Sequence, residues 1–323
     1  MTVRTPLLAF PGAAAALGPP ALLIKPESLQ PTGAFKLRGA YNAIAALLAD
    51  SRPPGVVAHS SGNHGFAVAY AAALLGVPAS IVVPETAPAV KTELIAGVGA
   101  ELVTVAATLT ARIETSAKIA SERGYAEIPP FDDRHVIAGQ GTIGLEIAED
   151  LGHGHVARQP AAVLVPVGGG GMVSGIAVAI KALLPGTRVI GVAPEFAAAA
   201  RASLRSGARV AWAAADTART KADSLRVEQV GELTFPHIEA LVDDIVTVSE
   251  AELLEAVRRL ALQGRLVAEP GGAVAVAAAL FRDPAELGLT RGETAAPLVA
   301  VLSGGNIDPT LLTKILGSAS YNR

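Results

Sequence analysis

Along most of the chain, short runs of aliphatic and β-branched residues alternate with longer alanine-rich stretches of helical period. "GVVAHS" (55–60) predicts a buried strand and "FAVAYAAALLG" (66–76) a helix. "ASIVVPE" and "AELVTVA" are further strands, and "VKTELIAGVG" and "ARIETSAKIASERG" further helices, the last ending at Gly124. The pattern then restarts, with a helix in "GTIGLEIAEDLG", a strand in "AAVLVPV" (161–167), a helix in "MVSGIAVAIKALL" and a strand in "RVIGVAPE". An irregular section from Ser206 to Pro236 follows. After it come the strand "LVDDIVTVS", the helix "EAELLEAVRRLALQG" with Ser249 as N-cap, and the helix "GGAVAVAAALF". The strand in "APLVAVLSGGN" and the helix "PTLLTKILG" close the series.

Strands alternating with helices predict parallel sheets covered on both faces. The fold class is therefore α/β, with two doubly wound domains. The small one takes residues 52–130; the large one is discontinuous and takes residues 1–51 and 131–323. Ligands of such sheets sit beyond the carboxyl ends of the strands, so the chemistry belongs in the strand-to-helix loops.

Composition narrows the partners. With 323 residues, 51% of them hydrophobic and 17% charged, the chain can bury a large core. A net charge of −3 gives no electrostatic case for nucleic acid or anionic lipid, which leaves a small molecule. The chain has no cysteine, which excludes disulfides, zinc thiolates and a thiol nucleophile. The N-terminal segment makes a poor signal peptide, so a cytoplasmic location is expected. Residues 160–180 carry no charge over a length that could span a bilayer, but Pro166, four consecutive glycines and Ser174 read better as strand, loop and helix start. No membrane association is expected.

Three loops and a lysine carry the candidate chemistry. "HSSGNHG" (59–65) joins a strand to a helix, and its exposed N–H groups form an anion site suited to a carboxylate. "PVGGGGMVSG" (166–175) leaves backbone amides free to close around a phosphate. A dinucleotide fold would use such a loop, and Glu195 follows the next strand, but Val173 or Ser174 stands where the last glycine of that fingerprint belongs. "LSGGNID" (302–308) presents the Ser303 hydroxyl at a sheet edge. Of the seven lysines, Lys36 in "PTGAFKLRGA" alone has so compact and apolar a neighbourhood. Burial would lower its pKa toward the neutral amine that attacks a carbonyl. An amine, a phosphate cradle, a carboxylate nest and a hydroxyl facing a ring are the parts a pyridoxal-phosphate enzyme requires.

At these motifs the chain resembles the fold-type II pyridoxal-phosphate enzymes, whose fold is that of the tryptophan synthase β subunit, and among them the serine/threonine dehydratases and serine racemases. "KPESLQPTGAFKLRGAYNAI" is similar to the family's Schiff-base segment, "SSGNHG" to its substrate-carboxylate loop and "PVGGGGMVSG" to its phosphate loop. "FDDRHVIAGQGTIGLEI", "VGELTF", "LVDDIVTVSE", "EPGGAVA" and "LSGGN" follow the family's order. The resemblance implies that Lys36 holds pyridoxal 5'-phosphate as a Schiff base, with Phe35 beside the cofactor. It implies that Asn63 bonds the ring oxygen, that Gly168, Gly169, Gly170, Gly171 and Met172 hold the phosphate, and that Ser303 faces the ring nitrogen. Ser60, Ser61, Gly62 and His64 would line the carboxylate end of the substrate, and Ser61 is also the proton donor that a racemase would need.

The resemblance implies elimination from L-threonine or L-serine to a 2-oxo acid and ammonia. Serine racemase or threo-3-hydroxyaspartate ammonia-lyase are the alternatives, with a nicotinamide-dependent oxidoreductase as the reading from another class. A homodimer is implied as well. Three departures from the family stand out. Ala193 and Ala199 occupy positions where relatives with a cation site carry acids, so no metal site is expected; Pro129 replaces a histidine; and Ser224 follows Asp223 where glycine is common. His153 and His155 read as solvated loop residues rather than metal ligands.

Overall fold

The computed structural model describes residues 1–11, 22–87, 89–153, 159–290 and 296–318, and His155 lies outside them. Its ten strands among the described residues are β1 Leu8–Ala9, β2 Leu22–Pro26, β3 Val56–His59, β4 Ala79–Pro84, β5 Glu101–Val105, β6 Ala126–Glu127, β7 Ala162–Pro166, β8 Arg188–Pro194, β9 Asp244–Val248 and β10 Leu298–Leu302. They form two sheets, ordered β1-β2-β10-β7-β8-β9 and β5-β4-β3-β6. Every pairing is parallel except β1 with β2. The helices that matter below are α1 Lys36–Asp50, α2 Asn63–Leu75, α3 Leu109–Arg123, α4 Arg134–His153, α5 Gly171–Leu183, α6 Thr234–Leu241, α7 Glu250–Arg259 and α8 Pro270–Phe281.

Strand alternation explains why both sheets are doubly covered. Leu22, Ile24, Leu164, Ile190, Val192 and Val246 point to one face of the six-stranded sheet and pack with α7 and α8. Leu23, Val163, Val165, Val189, Ile245 and Val299 point to the other, against α4 and α5. In the smaller sheet, Val56, Ala58, Ile81 and Val83 meet α1 and α2, while Val57 and Val82 meet Ile119 of α3. The two sheets thus satisfy the α/β, doubly wound expectation. Helix α1 lies at the seam, packed on both α2 and α4, and we propose the division 52–130 against 1–51 with 131–323 as the two domains.

The charge-free stretch 160–180 becomes β7, the glycine loop and most of α5, and no helix among the described residues is long and apolar enough to cross a membrane. The two alanines at family cation positions sit in β8 (Ala193) and at the start of the helix Ala199–Ser206, and neither brings an oxygen donor from its side chain.

Local chemistry sets several boundaries. Ser249 caps α7 in a reciprocal capping box with Glu252, as its position predicts. Helix α4 begins seven residues before "GTIGLEI", because the Asp133 carboxylate accepts from the N–H groups of His135 and Val136 at 2.8 and 2.9 Å. A glycine of the facing helix lets α4 and α5 pack closely: a Cβ on Gly175 of α5 would stand 2.2 Å from the Ile137 carbonyl of α4. Helix α2 also starts earlier than predicted, at Asn63, so Asn63 and His64 belong to its first turn rather than to a loop.

Candidate active site

The strand ends converge on one cavity of about 320 Å³ between the two sheets. Lys36 opens α1, and its segment is sewn to the loop after β10. The Phe35 N–H donates to the Ser303 carbonyl at 3.0 Å, and the Gly305 N–H to the Gly33 carbonyl at 2.8 Å. Lys36 Nζ donates to the Pro130 carbonyl and lies 5.1 Å from the centre of the Phe35 ring. It pairs with no carboxylate among the described residues, and burial lowers its pKa to about 8. The seclusion is not unique, contrary to the expectation from its neighbours in sequence. Lys25 is fully buried in β2, but there Glu146 and Asp150 neutralise it at 2.8 and 3.5 Å.

Helix α2 points its N-terminus at the cavity. Its N-cap Gly62 offers no side-chain acceptor, so the first N–H groups of the helix remain for a ligand. Ser60 Oγ accepts from the Gly62 N–H at 3.2 Å and shapes the turn. His64 donates from Nε2 to the Ile128 carbonyl at 2.8 Å, since a carbonyl can only accept. Burial, reinforced by the nearby Lys36 charge, pushes its pKa down to about 3, so the imidazole stays neutral. The Asn63 amide is held in one orientation: Nδ2 donates to Glu269 at 2.7 Å, while Oδ1 accepts from Asn306 Nδ2 at 2.8 Å. Asn306 is itself oriented by the Thr32 carbonyl at 2.8 Å. One amide hydrogen of Asn63 is thereby left for the cavity.

The third wall is the glycine loop. Gly170 has φ of +99°, in the left-handed region, and caps α5. A Cβ on Gly169 would lie 2.4 Å from the Phe131 ring. Two motifs that carried no role in the sequence explain how the loop is braced. Asp132 of "FDD" accepts from the N–H groups of Glu232, Leu233 and Thr234 at 2.9, 2.9 and 3.2 Å, which fixes the start of α6. Thr234 Oγ1 then donates to the Gly169 carbonyl at 2.6 Å.

Every site residue expected from the sequence lines this one cavity: Lys36, Phe35, Ser303, Ser60, Ser61, Gly62, Asn63, His64, the four glycines 168–171 and Met172. The departure at Ser224, with Asp223, lines it too. Sequence reasoning missed Glu269, although "EPGGAVA" contains it, along with Phe131 and Arg112. Arg112 sits in an amphipathic helix and left no signal there.

A side-chain-free cradle closed by main-chain N–H groups, in one cavity with a lysine of lowered pKa, fits pyridoxal phosphate. The comparisons decide the point: residues 2–304 match the model of the pyridoxal-phosphate dependent enzymes. The chain belongs to that family. Within it, the chain is a fold-type II enzyme of the threonine dehydratase and serine racemase group, which sets aside the nicotinamide reading. It is 43% identical over 297 residues to the L-threonine ammonia-lyase of Thermotoga maritima, covering 91% of this chain and 69% of that one. It is 42% identical to the L-threo-3-hydroxyaspartate ammonia-lyase of Saccharomyces cerevisiae, over 89% of this chain and 83% of the relative. The structure of maize serine racemase superposes with a TM-score of 0.88 at 35% identity, over 97% of this chain and 91% of that one.

Proposed function

We propose that this pyridoxal-phosphate enzyme is an ammonia-lyase for L-3-hydroxy amino acids, with L-threonine and L-serine giving a 2-oxo acid and ammonia. One observation carries the reading. The Lys36 amine, without a carboxylate partner among the described residues and lowered to about pKa 8, shares its cavity with the glycine cradle and with the uncharged Ser303 hydroxyl.

Bound pyridoxal phosphate supplies an electron sink for the pair left at Cα when its proton departs. Lys36 Nζ would hold the cofactor covalently and, when displaced by the substrate amine, take up the Cα proton. Gly168 to Gly171 and the Met172 N–H at the start of α5 would hold the phosphate. Asn63 would use its remaining amide hydrogen on the ring oxygen. The first N–H groups of α2, with the Ser60 and Ser61 hydroxyls, would take the α-carboxylate. Ser303 brings a hydroxyl and no negative charge to the ring nitrogen. Negative charge drawn onto the ring is then only modestly stabilised, and loss of the 3-hydroxyl is favoured over transamination.

Racemisation is the second reading, supported by the Ser61 hydroxyl on the cavity wall and by the likeness to serine racemase. Hydroxyaspartate is a candidate substrate through the yeast relative. The test is to incubate holoenzyme with L-serine, L-threonine and threo-3-hydroxyaspartate and to quantify keto acid and D-amino acid together. Keto acid should dominate; D-serine forming faster than pyruvate would overturn the lyase assignment. Because Ala193 and Ala199 lack donor oxygens, magnesium added after chelation should leave the rate unchanged.

A further inference from the structure

Four glycines in a row leave the phosphate loop with no side chain to decide which way its peptide planes face. A trans peptide unit carries its C=O and its N–H on opposite sides, so when one faces a ligand the other faces away. In the unit joining Gly169 to Gly170, the carbonyl accepts from Thr234 Oγ1 at 2.6 Å and from the Gly231 N–H at 3.2 Å. Gly169 and Gly170 line the cavity, whereas Thr234 and Gly231 do not. The carbonyl is therefore turned out of the cavity, and the Gly170 N–H of the same unit is turned toward it. That N–H has no partner among the described residues.

The loop does not choose this orientation by itself. Gly170 stands at φ of +99°. Turning the plane over would carry that angle through about half a turn, to roughly −80°, in the commonly populated region. Glycine adopts both about equally, and glycine on either side of the unit leaves the turn-over without a steric cost of its own. The turned-over unit would set the Gly169 carbonyl, a partial negative charge, against a phosphate. What prevents this lies outside the loop. Thr234 is fully buried, its carbonyl accepts from Ser174 Oγ of α5 at 3.3 Å, and its N–H is held by Asp132. The Asp132 carboxylate also backs Gly231, where a Cβ would stand 2.0 Å from Oδ1. One aspartate thus places both donors of the Gly169 carbonyl.

We infer that Thr234, placed by Asp132, is a positioning residue for the cofactor: it pins the Gly169 carbonyl outward so that the Gly170 N–H is presented to the phosphate. The glycines make the loop able to take an anion, and the threonine hydroxyl makes it select one. The inference rests on the cofactor and is independent of which amino acid is turned over.

The experiment titrates apoenzyme with pyridoxal phosphate and with 5'-deoxypyridoxal, which lacks the phosphate, and follows imine absorbance at Lys36. Wild type is compared with Thr234→Val, which keeps the branched shape and removes the hydroxyl, and with Thr234→Ser, which restores it. Thr234→Val should bind pyridoxal phosphate about tenfold more weakly, the order expected for one buried hydrogen bond lost. Its affinity for 5'-deoxypyridoxal should be unchanged, and Thr234→Ser should return to within about twofold of wild type. Equal weakening toward both aldehydes would mean a general loosening of the site and would overturn the inference; so would unchanged binding of pyridoxal phosphate. Should Thr234→Val fail to fold, Asp132→Asn is titrated in the same way. It keeps the threonine hydroxyl but weakens its anchor, so a smaller loss of about threefold, again confined to the phosphorylated aldehyde, is expected. A loss shared by both aldehydes, or none, would refute the assignment there too.

Discussion

Lys25 and Lys36 are both drawn away from bulk water, yet their surroundings differ in kind. Lys25 Nζ has the Thr5 carbonyl at 2.6 Å and the carboxylates of Glu146 and Asp150. Glu146 is shared with Arg38, which also grips the buried Glu27, so β2, α1 and α4 are joined by one charged cluster. Burial works against the Glu146 carboxylate, but hydrogen bonds from Arg38 and Lys25 hold it below the usual range. Lys36 has a carbonyl, a phenyl ring and a cavity. Burial alone does not make an amine reactive. Withholding the counter-charge does: a paired amine remains a structural cation, and an unpaired one gives up its proton more readily.

The contrast can be broken from either side. Lys36→Ala should reduce turnover with every substrate by about 10³-fold or more, with little change in melting temperature, because no charged partner is orphaned. Loss of fold on that substitution would erase the distinction between the two lysines. Lys25→Met should do the reverse. Leaving Glu146 and Asp150 short of a buried cation should cost about 3 kcal/mol in urea unfolding, with kcat of the folded enzyme preserved. A kcat that falls in step with stability would show that the cluster reaches the chemistry.

The smallest effect lies in the pH dependence of the cofactor-free protein. An ordinary lysine titrates near 10.5 and Lys36 near 8, so between these values the unfolded chain binds more protons and stability rises with pH. The stability of wild type relative to Lys36→Met should therefore climb from pH 8 to 10.5. Glu146 acts at the other end: its folded pKa is depressed, so its contribution is complete above the ordinary carboxylate pKa and is lost on acidification. The advantage of wild type over Glu146→Gln should shrink as pH falls below about 4.5. Flat differences in either range would refute the assignment of that group.

Much of this was legible in residue order. The alternation of strands and helices gave both sheets, and the glycine and serine loops marked the cavity, because strand-to-helix turns need residues that expose the backbone. The N-terminal strand β2 was not visible. "LLIKP" ends in a lysine and a proline, which argue against a central strand until Glu146 and Asp150, over a hundred residues away, neutralise the one. The role of "FDD" was hidden for a similar reason. Asp132 and Asp133 look like a solvated turn, and only tertiary structure brings the start of α6 to the first of them. Arg112 was silent because one arginine on an amphipathic helix reads as surface, and only the fold brings it to the cavity wall.

The contact between Gly169 and Phe131 constrains how this cavity can change over generations. A methyl group at 169 would strike the ring, and a smaller residue at 131 would leave the loop above it without a floor. Either replacement made first is harmful, so the two positions behave as one inherited unit. A lineage could redesign this corner only by crossing a valley or by changing both codons together.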